Sequence, residues 1–462
     1  MNVNLPSRYE DLDEAYKGRL VPNPDLINAV DRASKAMKIS GGIRFLPIYG
    51  ESGSGKSSAS RELSTHMPDV LCSVLERDEI ESKDSLSQKI NQLNNKYPNK
   101  ILVFVIDQYE ENVEGREKIP TQFVENLSLL DRGPFRKIPA IFIWLTTSLE
   151  FRDILVTATS RNRRILLHDS FCIEGPPKCE WPKIIEETFS FHNFEKPLAD
   201  FDIIQSDLQN ISLDSQTIGE TIEKIGGLLG EGIDGLQNIS EYQVILMWPV
   251  TDGLRSQRVL QFAKAREGYR LNWDAWHTEL NEQDVRTLPL HEFNRTRLYF
   301  DFRIIPVRAA DLHKLCLDLD ATDNVFGKTY IDRFKSTHFF HVISNNWKNY
   351  DYNPVRERES QRSDDAKVWY ESVTKSPTQL GRRIASILKD CGLDAVHEHD
   401  ITTEHSTVRA DVFVNLNDSE KPKKIIELKA FSSENTMPST IKEQIKITLR
   451  RHAQLAGFLN RQ

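Results

Sequence analysis

Gly50, Gly53, Gly55, Lys56 and Ser57 stand in the spacing G-x-x-x-x-G-K-S, the arrangement that grips phosphate. The glycines permit positive φ and let the backbone come close to a ligand. The loop amides and the start of the following helix aim donors at anionic oxygens. Lys56 would reach the β- and γ-phosphates, and the Ser57 hydroxyl would ligate Mg²⁺. Asp107 follows six apolar residues, Ile101 to Ile106. Such a run reads as a strand buried on both faces. Its carboxylate falls at the C-terminal edge, where ligands of open α/β sheets lie. Asp107 would hold Mg²⁺, directly or through water.

A third set of charges sits near the C-terminus. Arg409 to Leu416 and Ile425 to Phe431 are β-type runs joined by a polar turn containing Pro422, which reads as a hairpin. Period-two alternation places Glu427 and Lys429 on one face. If Asp411 opens the paired strand on that face, three charges meet at one spot. Two carboxylates among Val, Ile and Phe are costly unless a cation compensates. Mg²⁺ held by Asp411 and Glu427 would resolve that, activate a bound water and stabilise charge on a phosphate. Lys429 would position or deprotonate the water, or neutralise the oxyanion. The expected helix Thr440 to Leu455 carries Lys442, Lys446, Arg450 and Arg451, suited to a phosphate backbone.

The elements that must position these residues alternate. A helix over 25–37 carries Leu26, Ile27, Val30, Ala33 and Met37 on one face. A strand precedes the phosphate loop and a helix over 56–66 follows it. Strands are expected at 70–75, 100–106 and 140–145, with a helix over 83–93. The last of these strands ends in Thr146-Thr147-Ser148, which would touch a γ-phosphate or cap the next helix. Strand–helix alternation of this kind gives an α/β sandwich with a mostly parallel sheet. Residues 181–235 read as helical, and the glycines at 226, 227, 230, 232 and 235 read as a loop at its exit. Between 242 and 347 no motif stands out; a strand over 298–305 and a helix over 309–319 are expected. Residues 349–365 are polar and charged and read as a linker. An amphipathic helix over 378–391 stops at Gly392.

A chain of 462 residues with 39% hydrophobic and 28% charged residues suits two or three globular domains. No apolar run approaches the ~20 residues of a membrane helix, so no membrane partner is expected. The N-terminus lacks the layout of a signal peptide. Five scattered cysteines argue for a reducing, cytoplasmic setting. Cys172 and Cys179 lack the second pair that a zinc site needs. Net charge is −8, but residues 366–462 carry fifteen Lys and Arg against twelve Asp and Glu. A C-terminal region of net +3 therefore sits on a body of −11, an asymmetry that points to nucleic acid.

Residues 20–189 resemble an AAA+ or STAND-type P-loop ATPase. Asp107-Gln108-Tyr109-Glu110-Glu111 is similar to a "DQFEE" form of the Walker B strand end. Ser160 to Ile165, then Gly175-Pro176-Pro177 and Glu180 to Ile185, resemble the run from arginine finger to helical lid. The resemblance implies Thr146 or Thr147 as sensor 1 and Arg161 or Arg164 as a finger reaching a neighbouring subunit. Gln108 departs from the Glu usual in hydrolases, and a neutral amide cannot accept a proton from water. Either Glu110 or Glu111 takes that role, or the region is a slow switch. Residues 366–457 resemble the PD-(D/E)XK nucleases. That likeness implies Mg²⁺ at Asp411 and Glu427, with Lys429 and Gln444 in the catalytic set. Gln379 stands where many members have a carboxylate; Glu371 or Glu398 could substitute.

The combined expectation is an α/β chain in five parts: a P-loop core over 1–180, a helical lid over 181–236, a connecting domain over 237–348, the linker, and a restriction-endonuclease-like domain over 366–462. The domain pairing implies an ATP-binding or ATP-hydrolysing protein coupled to a Mg²⁺-dependent DNA endonuclease. Its partners would be DNA, copies of itself and other defence proteins, in an anti-phage or restriction role. Alternatives are a nucleotide switch that binds DNA without cutting it, and a repair or mobile-element nuclease.

Overall fold

The computed structural model describes residues 3–107, 109, 118–235, 240–316, 326–350, 361–375, 377–417 and 421–460. The chain divides into two units: Met1–Leu198 with Gln205–Glu231, and Ala199–Ile204 with Gly232–Gln462. No helix among the described residues is long and apolar enough to cross a membrane.

After two short helical turns, Tyr9–Asp11 and Glu14–Lys17, the first long helix of the first unit is α1 (Pro24–Ser40). Asn23 caps it by accepting from Leu26 N at 2.9 Å, and Pro24 pre-sets its first turn. It continues through β1 (Ile43–Tyr49), α2 (Lys56–Arg61), β2 (Val70–Val74), α3 (Lys83–Lys96), β3 (Ile101–Ile106), α4 (Ile119–Leu130), β4 (Ala140–Thr146) and α5 (Leu149–Ala158). The four strands are parallel in the order β2-β3-β4-β1. Bridges from Phe45 to Leu166 and from Tyr49 to Cys172 lay a further parallel segment along the outer side of β1. Alternate strand residues face opposite ways. Phe45, Phe104, Phe142 and Trp144 pack on α3, α4 and α5; Leu46, Val103, Ile141 and Ile143 pack on α1. This double burial is why β3 and β4 read as unbroken apolar runs.

The helices α6 (Trp181–His192), α7 (Gln205–Leu213) and α8 (Ile218–Gly235) follow. α8 runs through the glycines expected to form a loop. Thr221, Ile225 and Leu229 recur at four-residue spacing and are buried, while Gly226, Gly227 and Gly230 lie on its exposed side. A mid-helix Gly costs about 1 kcal/mol against Ala, and the buried stripe offsets it here.

The second unit is built on one seven-stranded sheet, ordered β6-β7-β8-β5-β11-β10-β9. Its elements are β5 (Tyr242–Val250), α9 (Gly253–Leu260), β6 (Ala263–Lys264), β7 (Arg270–Leu271), α10 (Leu290–Tyr299), β8 (Arg303–Arg308), α11 (Ala309–Cys316), α12 (His338–Ile343), α13 (Gln361–Val373), α14 (Pro377–Asp390), β9 (Asp394–Thr402), β10 (Thr407–Asn415), β11 (Lys423–Leu428) and α15 (Pro438–Leu455). Leu298 and Tyr299, expected in a strand, end helix α10, and that strand begins at Arg303.

β11 pairs in parallel with β5, from Lys423↔Tyr242 to Leu428↔Met247. Residues 237–348 and 366–462, expected as separate domains, thus contribute strands to the same sheet. Their cores are also shared. Met247, Ile305, Tyr370, Ile384 and Val412 pack on one face; Leu246, Ile304, Ala410, Ile441 and Leu449 pack on the other. The expected hairpin is present, with Val412 opposite Ile426 and Asn415 opposite Lys423.

Candidate nucleotide loop and carboxylate centre

The phosphate loop joins β1 to α2. Gly53 and Gly55 take φ of +78° and +83°, the left-handed region that favours glycine. A Cβ at Gly53 would lie 2.9 Å from Thr217 Oγ1 and 3.0 Å from Gly219 Cα; at Gly55 it would meet nothing within 4 Å. Gly219 N donates to Gly53 O at 3.3 Å, so the first turn of α8 rests on the loop. That turn is fixed by two local bonds. Glu220 N donates to Thr217 Oγ1 at 3.3 Å, and Gln216 N to Glu220 Oε2 at 2.7 Å.

Lys56 Nζ donates to Gly50 O and Glu51 O, each at 2.7 Å. Burial pushes its ammonium below the ordinary lysine range. Ser54 Oγ is buried with no hydrogen-bond partner in the described structure. The left-handed glycines, the close-packed cradle and this orphaned hydroxyl fit a phosphate-bearing ligand.

β4 lies between β1 and β3. Thr146 at its end is buried; its carbonyl accepts from Gly50 N at 3.2 Å and its Oγ1 from Ser148 N at 2.9 Å. Asp107, at the end of β3, is paired with Arg61 Nη2 at 2.8 Å. Arg61 also pairs with Glu10 at 2.8 Å and lies over the Tyr9 ring. Tyr9 Oη donates to Glu62 Oε1 at 2.6 Å. The N-terminal segment is thereby tied to the helix that carries Ser57. Arg161 is exposed and 3.7 Å from Glu125; Arg164 is exposed, with Nη2 at 3.5 Å from Ser40 O. Gln108, Glu110 and Glu111 lie outside the described residues.

In the second unit, Asp411, Glu427 and Lys429 converge. Lys429 Nζ donates to Glu427 Oε2 at 2.9 Å, and both side chains are buried. Asp411 Oδ2 accepts from Leu428 N at 2.7 Å. The strand around Asp411 is irregular. Val408 and Ala410 point into one core, Val412 and Val414 into the other. The register with β9 is unchanged across the switch, Ala410↔His399 before it and Val412↔His397 after it. The pair between these, Asp411 and Glu398, leaves the ladder. Glu398 takes φ of +51°, which costs a non-glycine residue about 1–2 kcal/mol. Such irregularities are common beside functional sites.

α15 supplies the rest of the centre. Thr448 Oγ1 donates to Glu427 Oε2 at 3.3 Å. Arg451 Nη2 pairs with Glu427 Oε1, and His452 Nε2 lies 3.7 Å from the same oxygen. His452 is fully buried, its Nδ1 3.0 Å from Thr448 O and its ring edge-on to Phe300 and Phe302. Burial alone would raise the Glu427 carboxyl, but Lys429, His452 and Arg451 more than reverse this and hold it at about 2. Burial lowers the imidazole of His452 to about 4. Asp411 is raised, first by burial and then by the charge of Glu427.

Thr448 and His452 are not visible as site residues in the sequence. Their one signal is a pair of polar residues four apart on the face that also carries Ile445 and Leu449. Gln444 lies one turn before Thr448 and is half-buried. Glu398 pairs with Arg409 at 2.5 Å. Glu371 is exposed on α13, and Gln379 lies on α14; both helices cover the face opposite α15.

Among the described residues no group of three or more His, Cys, Asp or Glu side chains forms a metal cage. Two carboxylates suffice for Mg²⁺, which keeps several of its waters. Glu427 Oε1 is buried and covered by the Arg451 guanidinium, while among the described residues the hydrogen bond to Asp411 falls on Oδ2 rather than Oδ1. With the guanidinium displaced, this oxygen pair fits a hard divalent cation.

No family model matches the sequence, and a comparison with curated proteins finds no relative. Among solved structures, the chain is similar to the Aeropyrum pernix ORC2 protein in its ADP form, at 12% identity over 95% of this chain and 98% of that one, with a TM-score of 0.31. It is similar to the replication initiator DnaA bound to AMPPCP and single-stranded DNA, at 14% identity over 81% and 98%, with a TM-score of 0.28. AMPPCP-bound DnaA from Aquifex aeolicus matches at 16% identity over 74% and 92%, with a TM-score of 0.27. Similarity at this level does not extend to function.

Proposed function

We propose that this protein binds ATP at the loop Gly50–Ser57 and cuts DNA at a magnesium-dependent centre formed by Asp411, Glu427 and Lys429. The observation that carries the reading is the buried Lys429–Glu427 pair beside Asp411. Three charges on apolar strands are costly and have no packing purpose that Leu or Val would not serve better.

Asp411 and Glu427 would hold the cation, which when bound supplies charge neutralisation and an activated water. Lys429, fixed by Glu427, places an ammonium where negative charge develops on a phosphodiester. Thr448 keeps the Glu427 carboxylate oriented, with the His452 imidazole packed 3.7 Å beside it. Lys56 and the loop amides would bind the ATP phosphates. The Arg61–Asp107 pair favours a slow nucleotide switch over rapid turnover, because Asp107 must exchange a guanidinium for a metal.

Two assays test this. Wild-type protein should nick plasmid in magnesium, and Lys429→Ala should lose at least a hundredfold in rate. Lys56→Ala should abolish binding of a fluorescent ATP analogue while leaving the fold intact. Equal cleavage by wild type and Lys429→Ala would reject the nuclease reading. An unchanged ATP-analogue affinity in Lys56→Ala would reject the nucleotide reading.

A further inference from the structure

Arg451 belongs to two places at once. Its guanidinium pairs with the buried Glu427 Oε1. Its side chain, 42% exposed, also lines an open groove of about 550 Å³ with Leu288, Lys446, Ile447, Arg450 and Gln454. Glu443 lines the groove too, but it is paired with Lys446 at 2.6 Å. Asp284 holds Lys446 and Lys442 at 3.6 and 3.5 Å. Arg450 and Arg451 are therefore the groove's uncompensated or exchangeable positive charges.

Charge balance at the centre sets the problem. Asp411 and Glu427 carry two negative charges; Lys429 and Arg451 carry two positive ones. A divalent cation entering this neutral cluster would leave an excess of +2 in a buried place, which is unfavourable. The excess is relieved if Arg451 leaves Glu427 for an anion. Its hold is incomplete, since Arg451 Nε is buried without a hydrogen-bond partner. A phosphate would take the guanidinium fork in a bidentate way that this carboxylate contact does not.

Resting on the nuclease reading above, we propose that Arg451 is a substrate-operated gate: it blocks Glu427 until the phosphodiester backbone of DNA in the groove draws its guanidinium away, and metal then binds. Arg451 is thus a positioning residue that acts through Glu427. Coupling of this kind is reciprocal, so metal also tightens DNA binding.

The test is Mn²⁺ affinity of the full-length protein, read by electron paramagnetic resonance with and without a short DNA duplex, and with an RNA duplex as a further arm. Wild type should bind Mn²⁺ roughly tenfold more tightly with DNA present, within the usual range of coupling. Arg451→Gln should bind it that tightly without DNA, and DNA should add little. Arg451→Lys, which keeps a charge but not the fork, should fall between them. Circular dichroism and thermal melting keep a misfolded variant from being counted, with Arg451→Met as the substitute. Equal Mn²⁺ affinity in wild type and Arg451→Gln, unaffected by DNA, would overturn the gate and leave the nuclease reading standing. A larger effect from RNA than from DNA would overturn the assignment of the occupant. Absence of Mn²⁺ binding in every protein and condition would overturn the gate together with the metal centre.

Discussion

The glycine loop of the first unit and the charged hairpin of the second are built by opposite means. The loop works with backbone: glycines at positive φ, amides and a helix start, backed by the close approach of Gly53 to Gly219. The hairpin works with side chains: Glu427 is held by Lys429, Thr448, Arg451 and the nearby His452. Backbone devices need particular residues at adjacent positions. Side-chain devices need partners that only the tertiary fold brings together. The loop should therefore fail through local strain, and the hairpin through loss of a balanced charge cluster.

The largest effect is expected at Glu427. Glu427→Gln strands the buried Lys429 charge and frees the half-exposed Arg451, and losses of a buried partner run to about 3–5 kcal/mol. Urea unfolding checks this, and a change under about 1 kcal/mol would mean the cluster is solvated. Acid should act nearly as strongly. His452 titrates at about 4 in the folded protein and near 6.5 when unfolded. As pH falls below 6.5 the unfolded chain takes up a proton that the folded one refuses, so stability is complete above 6.5 and declines toward 4. The loss across that window is about 3 kcal/mol, and His452→Gln should flatten it. Glu427, held at about 2, adds a separate loss as pH falls from about 4.5 toward 2.

The loop offers a finer contrast. Gly53→Ala meets both left-handed strain and the atoms of Thr217 and Gly219, for a combined cost of about 2–3 kcal/mol. Gly55→Ala meets strain alone, about 1–2 kcal/mol, because nothing lies within 4 Å of its added Cβ. Equal melting temperatures for the two variants would show that the α8 contact contributes nothing. The smallest change belongs to Arg161→Ala. Its side chain is exposed and only 3.7 Å from an exposed Glu125, so thermal melting should move by no more than about 0.5 kcal/mol.

These contrasts match what could be read in the sequence. The loop, β3 ending at Asp107, the β10–β11 hairpin and α15 were legible because each is a local pattern of spacing or periodicity. The parallel pairing of β11 with β5 was not, since the partners lie about 180 residues apart and neither strand encodes the other. For the same reason the Arg61–Asp107 pair and the approach of His452 to Glu427 carried no sequence signal. The helical glycines of α8 misled in a different way. Their propensity favours a loop, and the buried stripe of Thr221, Ile225 and Leu229 overrides it.

The most direct measurement is anomalous diffraction from co-crystals of the Lys429→Ala protein with Mn²⁺ and a DNA duplex. One manganese peak beside Asp411 and Glu427 is expected, with the Arg451 guanidinium turned onto a DNA phosphate. Ordered duplex in the groove with no manganese at those carboxylates, and Arg451 still on Glu427, would contradict it.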